Sequence, residues 1–422
     1  MNQKTLAGLA VAALVAVVAA IALGRANRPQ SEGRGEVESW FAPGLREHVN
    51  DVDKVVVTGA GDKVVATLAR GANGWTLAEK GGYPVDTGKL REFLLKLAGA
   101  KLVEQKTANK DKYATLGVED VSAKDAKGVQ VELDGLAQPL KLIVGTASAR
   151  GSGTFVRRAG DAQSWLASDA LVVAKNATDW LKKDLADIPA ARIESVTITQ
   201  AGGKVVRVAK DAEGDANFKV DGIPKGRAAG AEYAVDGLGS ALAGLRFDDV
   251  VPAADMPPDD KALKAHYAAF DGLVVDTTAW EKDGKDYAQF KASLDAARAD
   301  RDIAAAQAKA KADFDAATAA ATAAAKDSAG AKDKPPADTP VKPLSVSDPA
   351  KDREDRLAKA NKEVADLNAR FDGWTYVLPA YKYAAMNKTL DDVLKPLEAK
   401  KPASGAKKAA GKPPRAGAEP GS

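Results

Sequence analysis

Cysteine is absent from this chain of 422 residues, and histidine occurs only twice, at His48 and His266. The absence of cysteine excludes disulfide bonds, thiolate metal sites and a cysteine nucleophile. Two histidines cannot by themselves form a histidine-rich metal site. Aromatic residues make up only 5% of the chain. A core therefore has to be assembled from scattered valine, leucine and isoleucine clusters and a few large rings.

The chain also lacks a strong excess of either charge. Its formal net charge of +3 argues against a protein that binds nucleic acid, and no nucleic-acid partner is predicted. The basic excess is local, because residues 400–422 hold five lysines and one arginine against a single acid, Glu419. This tail is a Pro/Gly/Ala/Lys sequence of low complexity, which predicts disorder.

The common sequence motifs of catalysis are missing. There is no phosphate-binding G-x-x-x-x-G-K-[ST], no G-x-S-x-G around a nucleophile, no zinc-binding H-E-x-x-H and no EF-hand loop. The segment GAGDKV at residues 59–64 contains G-x-G, but it lies between two predicted strands and is typical of a hairpin turn. The sequence therefore predicts no catalytic, cofactor-binding or metal-ligating residue, and we expect a protein that is not an enzyme and has no cofactor.

What the chain does contain is one long apolar run near its N-terminus. Residues 6–23 (LAGLAVAALVAVVAAIAL) include neither a charge nor a proline. As a helix this run would be roughly 27 Å long, close to the thickness of the hydrocarbon core of a bilayer. We expect a retained membrane anchor over residues 1–28. A cleavable signal peptide is the alternative, because Ala22 and Gly24 are spaced like a cleavage site.

The charges that flank the apolar run do not by themselves favour an orientation with the bulk of the chain outside the cytoplasm. Lys4 and the amino terminus lie on one side of the run, and Arg25, Arg28 and Arg34 lie on the other. On the positive-inside rule alone, this distribution favours a cytoplasmic bulk.

After a polar tether assigned to residues 29–50, the hydrophobic pattern predicts an α+β module over residues 51–190. Short β-branched runs separated by glycine turns predict a meander of strands, and Asp86 can cap the helix that follows it. Four apolar residues of that helix fall at i, i+3, i+4 and i+7 and form one stripe: Leu90, Phe93, Leu94 and Leu97. We expect a mostly antiparallel sheet covered by one helix.

A second stretch, residues 191–399, repeats this layout. The tetrapeptide YPVD at residues 83–86 returns as YAVD at residues 233–236, each at a predicted helix start. Six residues mark the predicted repeat, paired as Trp75 with Phe218, Tyr83 with Tyr233, and Asp86 with Asp236. We expect both aspartates to cap helices and both tyrosines to fill the space between helix and sheet. Further on, the segment near Leu273 is matched to the one near Val129. The sequence thus predicts two tandem modules.

One segment of the second module has no equivalent in the first. Residues 291–371 contain a long Ala/Lys/Asp-rich helix over about 291–326, a linker at 327–348 and a second charged helix at 350–371. We expect this segment to occupy the position that the short loop 146–153 holds in the first module. The apolar face is shallow, which leaves open either a solvated spacer or a docking hairpin with coiled-coil character. In both cases we expect the insertion and the tail to be additions outside the two cores.

Together these segments resemble a known family. The apolar helix, YPVD, YATLGV at residues 113–118, GTFVRR at residues 153–158 and DWLKKDL at residues 179–185 are similar to the domain-of-unknown-function 4340 family. The similarity covers about residues 52–198 and is looser beyond. Val118 stands where that family usually has leucine, and the insertion and tail depart from its pattern. The resemblance implies a membrane-anchored bacterial envelope protein, often encoded beside a gliding-motility-type ABC transporter permease, and it brings no catalytic residues.

These observations favour a non-enzymatic protein with a single span in the inner (plasma) membrane. The resemblance implies that the bulk of the chain is extracytoplasmic. The leading function is an auxiliary or scaffold subunit of an ABC-type transport system, with the transporter's permease or auxiliary protein as its partner. The alternative is a periplasmic solute- or polymer-binding protein that uses a cleft between the two modules. A hydrolase has the weakest support, because no set of nucleophile and base is visible.

Overall fold

The computed structural model describes residues 39–149, 151–328 and 340–396. They fall into two compact units that divide between Lys182 and Lys183. Each unit is an α+β structure built on a large antiparallel sheet, in agreement with the predicted fold class. The apolar run at residues 6–23 lies outside the described residues. Within the described residues, no helix is both long and apolar enough to span a bilayer.

The first unit is built on a ten-stranded sheet. Its strands are β1 (Ser39–Trp40), β2 (Lys54–Gly59), β3 (Lys63–Gly71), β4 (Gly74–Leu77), β5 (Tyr83–Pro84), β6 (Lys101–Gln105), β7 (Val129–Asp134), β8 (Leu140–Ala147), β9 (Thr154–Arg158) and β10 (Ser164–Ala167). Its α-helices are α1 (Leu45–His48), α2 (Thr87–Gly99) and α3 (Tyr113–Leu116). The spatial order is β1-β6-β10-β9-β8-β7-β2-β3-β4-β5.

Helix α2 forms where the sequence predicts it. The carboxylate of Asp86 accepts a hydrogen bond from the N–H of Lys89 at 3.0 Å, which satisfies one free donor of the first turn. The predicted stripe is buried: Leu90, Phe93, Leu94 and Leu97. The ring of Phe93 packs edge-on against Trp180, with 5.5 Å between ring centroids. Burial of each such side chain contributes about 1.5–3 kcal/mol, so this stripe is a main support of the first core.

Part of the segment assigned to the tether belongs to the first unit. Strand β1 pairs with β6, and Phe41 and Leu45 are fully buried. The prediction of a tether up to residue 50 is therefore wrong from Ser39 onward. The sequence gives little warning of this, because Trp40, Phe41 and Leu45 stand among charged residues with neither strand nor helix periodicity.

The second unit is built on an eight-stranded sheet and a separate two-stranded sheet. Its strands are β11 (Asp184–Ala186), β12 (Ile193–Thr199), β13 (Val205–Ala209), β14 (Lys219–Val220), β15 (Leu245–Arg246), β16 (Asp249–Pro252), β17 (Leu263–Ala269), β18 (Leu273–Lys282), β19 (Lys285–Leu294) and β20 (Trp374–Leu378). Its α-helices are α4 (Glu232–Gly239), α5 (Ala296–Ser328), α6 (Leu344–Ser347), α7 (Pro349–Phe371) and α8 (Ala380–Met386). Strands β11 and β15 form the small sheet.

The two large sheets share one strand order. From edge to edge, the second sheet runs β14-β13-β12-β17-β18-β19-β20-β16, and eight strands of the first run β4-β3-β2-β7-β8-β9-β10-β6. Strands that hold the same place in the two orders also follow one another in the same order along the chain. The first sheet carries β5 and β1 as additional strands at its two edges.

This strand order corrects the predicted match near Leu273. Strand β18, which begins at Leu273, holds the place of β8, whereas Val129 begins β7. The place of β7 is held by β17, which the sequence analysis did not predict. In β17 the exposed residues Lys264 and His266 alternate with buried ones. A strand with one solvated face carries polar side chains on that face, and these made its apolar pattern hard to recognise in the sequence.

The predicted place of the insertion is also wrong. Strands β18 and β19 are joined directly by a tight turn at Asp283 and Gly284, both with positive φ. The helices lie instead between β19 and β20. They therefore hold the place of the short β9–β10 connection, residues 159–163, and not that of the loop 146–153. Residues 291–294, predicted as helix, belong to β19.

The base of the helical insertion is part of the second core. The buried residues of α5 and α7 include Ala299, Ile303, Leu367 and Phe371. The side chain of Asn368 bonds both the N–H and the carbonyl of Ala292 in β19, at 2.8 and 2.9 Å. The ring of Phe371 lies 5.3 Å from that of Phe290. The expectation that the insertion lies outside the fold is therefore wrong for its base.

We predict that the base and the tip of the insertion differ in their effect on stability. Deletion of residues 291–371 should unfold the second unit, because it removes the end of β19 and leaves the apolar surface beneath Phe371 in water. Replacement of residues 312–342 by a short Gly/Ser linker should leave cooperative unfolding nearly unchanged, because loop closure depends only weakly on length. Thermal melting followed by circular dichroism compares the two variants, and equal melting temperatures would contradict the distinction.

Candidate functional site

Two segments that carry the family resemblance meet in the first unit. Tyr113 and Val118, from YATLGV, pack with Ile143 of β8 and with Phe155 of β9, the strand that contains most of GTFVRR. Side chains alternate between the two faces of a strand, so Ile143 points away from the face used by Leu142 and Val144. We call this group, together with Arg157, the motif cluster.

Arg157 is the most buried charged residue of the motif cluster, with 3% of its surface exposed. Its Nε donates to the carbonyl of Val118 at 2.8 Å, and its Nη1 donates to the carbonyl of Asp161 at 2.9 Å. Nη2 donates to the carboxylate of Asp120, and the ring centroid of Tyr113 lies 4.7 Å from Cζ. Each nitrogen of the guanidinium is engaged with the chain itself. The arrangement fixes the YATLGV segment on the sheet.

The next residue, Arg158, binds the N-terminal segment. Its Nε donates to the carbonyl of Phe41 at 3.1 Å, and its Nη2 donates to the carbonyl of Trp40 at 2.6 Å. The Trp40 ring in turn lies 5.3 Å from Cζ of Arg46 and 5.2 Å from Nζ of Lys101. The two adjacent arginines of GTFVRR therefore fasten two different segments to the same sheet.

The glycine of YATLGV is required by its conformation and by its surroundings. Gly117 ends α3 with φ of +67°, and a Cβ at this position would lie 2.9 Å from Cγ2 of Thr146. Thr146 donates its hydroxyl to the carbonyl of Leu116 at 3.0 Å. The segment thus lies directly against β8. Its sequence pattern is explained by this close packing.

The repeat markers of the first unit lie where the sequence places them. Tyr83 is 4% exposed in β5, and Asp86 caps α2. Trp75 lies in β4 near an edge of the sheet, with Cζ of Arg70 at 5.2 Å from its ring. The observed contacts of these three residues are burial, a helix cap and a contact between a ring and an arginine.

Two of the three markers in the second unit depart from the prediction. Phe218 is buried, but Tyr233 is 83% exposed in the first turn of α4. Asp236 lies inside α4, whose N-cap is Ala231, and its carboxylate accepts from the N–H of Phe218 at 2.8 Å. Ala234 explains the difference, because Pro84 keeps Tyr83 extended whereas alanine allows the helix to begin before the tetrapeptide. Asp236 as a helix cap and Tyr233 as a filler were wrong.

The two histidines each lie beside an aspartate on an exposed surface. His48 Nδ1 is 2.7 Å from Asp51 Oδ2, and His266 Nδ1 is 2.7 Å from Asp276 Oδ1 across β17 and β18. About half or more of each of these side chains is exposed. Water competes for such pairs, which gives them the character of surface contacts.

The second unit contains a charged cluster at the base of the helical insertion. Arg192 donates from both terminal nitrogens to the carboxylate of Glu363 in α7, at 2.6 and 2.8 Å, and from Nε to Asp271 at 2.6 Å. A cavity of about 320 Å³ beside them is also lined by Asp302 and Arg356. We call these five residues the root cluster.

The root cluster shifts the pKa values of its carboxyl groups in opposite directions. The hydrogen bond from Arg192 lowers the pKa of Glu363, and the same bond raises the pKa of Arg192. Burial raises the pKa of Asp302, with a further contribution from Asp271 and an opposing one from Arg356. Each carboxylate of the Arg192 network is bonded to that arginine, so the cluster serves to dock α7 on the sheet.

Sequence analysis did not find the root cluster, and no local signal could have revealed it. Arg192 and Glu363 are separated by 171 residues, and each stands among many other charged residues. Within the ranges that the structure describes, no group of three or more acidic or histidine side chains is arranged to hold a metal ion. The arrangement of the root cluster joins distant segments by charge pairing.

We predict that Arg157→Leu destabilises the protein by about 3 kcal/mol, because the carbonyls of buried Val118 and of Asp161 both lose a charged donor. Arg157→Lys should fall between this variant and the wild type, since one ammonium cannot serve three acceptors in a planar fork. Arg91→Leu, on the exposed side of α2, is the matched control and should stay within about 0.5 kcal/mol. Urea denaturation of the full chain measures the three variants, and equal effects of Arg157→Leu and Arg91→Leu would contradict this role.

We also predict a pH dependence for the docking of α7. The pKa of Glu363 is lowered in the folded chain, so its contribution is present above its ordinary value of 4.5 and lost as pH falls below it. Glu363→Gln should lower stability by about 1–2 kcal/mol at neutral pH, after allowance for solvent screening, and by much less in acid. Glu354→Gln on the same helix is the control. A Glu363→Gln deficit that stays constant with pH would refute the assignment.

The comparisons with known proteins concern the central part of the chain. Residues 75–266 match the model of a family described as Domain of unknown function (DUF4340). The match includes YATLGV and GTFVRR and ends before the helical insertion. Searches of curated proteins and of solved structures found no match. Residues 75–266 thus support the resemblance to this family of unknown function.

Proposed function

We propose that this chain is a non-enzymatic, membrane-anchored envelope protein that acts as an auxiliary or scaffold subunit of an ABC-type transport system. The observation that supports the proposal is the structural role of residues in the segments that resemble the family. Arg157, Arg158, Gly117 and Asp86 all hold the chain's own main chain in place. A pattern that serves to build a module suits a protein whose surfaces bind other subunits.

The anchor is proposed from the sequence. Residues 6–23 are long and apolar enough to cross a bilayer as one helix. The resemblance to the family favours retention of this segment and an extracytoplasmic location for both units. On this proposal the protein is held at the inner membrane, where its partner would be the permease or the auxiliary protein of a transporter.

We further infer that the two units are copies of one module. The shared strand order of the two sheets supports this inference. A second similarity is the apolar cluster on the second face of each sheet. In the first unit Tyr113 and Val118 come from the β6–β7 connection, and in the second Met256 and Ala262 come from the equivalent β16–β17 connection. A duplicated module would present related but distinct surfaces to two parts of a partner.

The helical insertion is the largest feature that this chain adds to the module. Its base is fixed to the second sheet, and further out α5 carries exposed ion pairs such as Lys309 with Asp313 and Lys311 with Asp315. A helical segment that is rigidly rooted and largely solvated along its length can serve as an arm. We propose that it contributes to contact with the partner subunit.

Purification of the tagged full-length chain from native membranes, after mild crosslinking, tests the proposal. We expect the protein to resist extraction with alkaline carbonate, to retain its N-terminus and to bring with it a permease or ATPase subunit of an ABC transporter. The matched control carries a cleavable signal peptide in place of residues 1–28 and should lose this association. A mature N-terminus near Arg25, or no enrichment of a transporter subunit over the control, would count against the proposal.

A further inference from the structure

A basic groove lies at one end of the first sheet. It has a volume of about 620 Å³ and is bounded by the β2–β3 turn, the segment 79–80, the loop 126–129 and the segment 175–178. The charged residues that line it are Lys63, Glu79, Lys80, Lys127 and Lys175. Four lysines face a single carboxylate, so the lining carries an excess of positive charge.

Two of these lysines are held in place by neutral groups. Lys127 Nζ donates to the carbonyl of Ala114 at 3.1 Å, and Lys175 Nζ donates to the carbonyl of Lys127 at 2.7 Å. An ammonium group has three donors, so each retains two that can serve a ligand. These bonds fix the positions of the cations without neutralising their charge.

Among the described residues of the lining, Glu79 is the one acid. Glu79 Oε2 accepts from the N–H of Thr67 at 2.7 Å, which ties the segment 79–80 to β3. Among the described residues, no carboxylate lies within ion-pair distance of Lys63, Lys127 or Lys175. Three of the four lysines of the groove therefore have no acidic partner for their ammonium groups among the described residues.

Four lysines elsewhere in the same unit are paired with acidic side chains. Lys54, Lys96, Lys106 and Lys141 each lie within 3.3 Å of an acidic side chain. The contrast matters because a concave surface with one sign of charge concentrates the electrostatic field and attracts ions of the opposite sign. The same number of lysines spread over paired sites would produce no such field.

We propose that the basic groove binds a small polyanion that carries carboxylate or phosphate groups. Its volume falls within the range of about 300–1,000 Å³ that is usual for sites of small ligands. Lysine is a common ligand of both kinds of anion, because its compact charge imposes little geometry. The site is separate from the scaffold role proposed above, and neither depends on the other.

Isothermal titration calorimetry on the full chain in detergent, at about 50 mM salt to limit screening, tests the groove. Citrate and pyrophosphate are the two probes, and the tighter of the two identifies the preferred anion. Lys127→Gln/Lys175→Gln should weaken binding at least tenfold, because both of the fixed charges that would contact the anion are removed. Lys63→Gln, which removes a side chain without a hydrogen bond to the described chain, should weaken it to a smaller extent.

The matched control removes the same charge at the other end of the same strands. Lys54→Gln/Lys141→Gln should change affinity by no more than about twofold, since both are exposed and paired with acids. Circular dichroism checks that all variants are folded. Two results would overturn the proposal: no binding of either probe up to about 10 mM, or an equal loss of affinity in the control.

Discussion

Each sheet of this protein has two faces, and a chain with few aromatic residues must cover both. In the first unit one face of the sheet is buried by α2 and by other apolar elements, but the second face would expose Ile143. In the second unit the side chain that would be exposed in this way is Trp280. In both units a connection folds back over that face. The β6–β7 connection brings Tyr113 and Val118 over it in the first unit, and the β16–β17 connection brings Met256 over it in the second. Each cluster thus buries apolar side chains on the face of its sheet that would otherwise be left in water.

In the first unit the cover is held by a buried charge. Burial of an arginine is costly unless its donors are satisfied, and Arg157 meets this condition with two carbonyls, one carboxylate and one ring. The second unit uses apolar stacking instead, with 5.8 Å between the ring centroids of Trp280 and Tyr287. The second face of each sheet is therefore covered by different interactions in the two units, although their strand order is the same.

Elements whose formation depends on a local sequence pattern could be predicted from the sequence. The capped helix α2 and most strands of the first unit follow from apolar periodicity and glycine turns, and Leu90–Leu97 is confirmed as a buried stripe. Sequence analysis failed where the decisive partner is distant. The role of Arg157 depends on a segment 39 residues away, and the docking of α7 depends on Arg192. The sequence shows that Ala234 stands where the first tetrapeptide has Pro84. Because of this change α4 begins before YAVD, although the two tetrapeptides are otherwise similar.

The charged residues that join segments of the fold differ in type from those that line the basic groove. Arg157, Arg158 and Arg192 each serve several acceptors of the chain from one planar group, which suits the joining of segments. In the basic groove the chain uses lysines, fixes two of them with neutral carbonyls and leaves their charge unbalanced. Arg157 could not be exchanged for such a lysine without loss of two acceptors, whereas the groove needs only the charge. The planar fork of arginine thus suits the joining of several main-chain acceptors, whereas a lysine held by one carbonyl keeps donors that can serve a ligand.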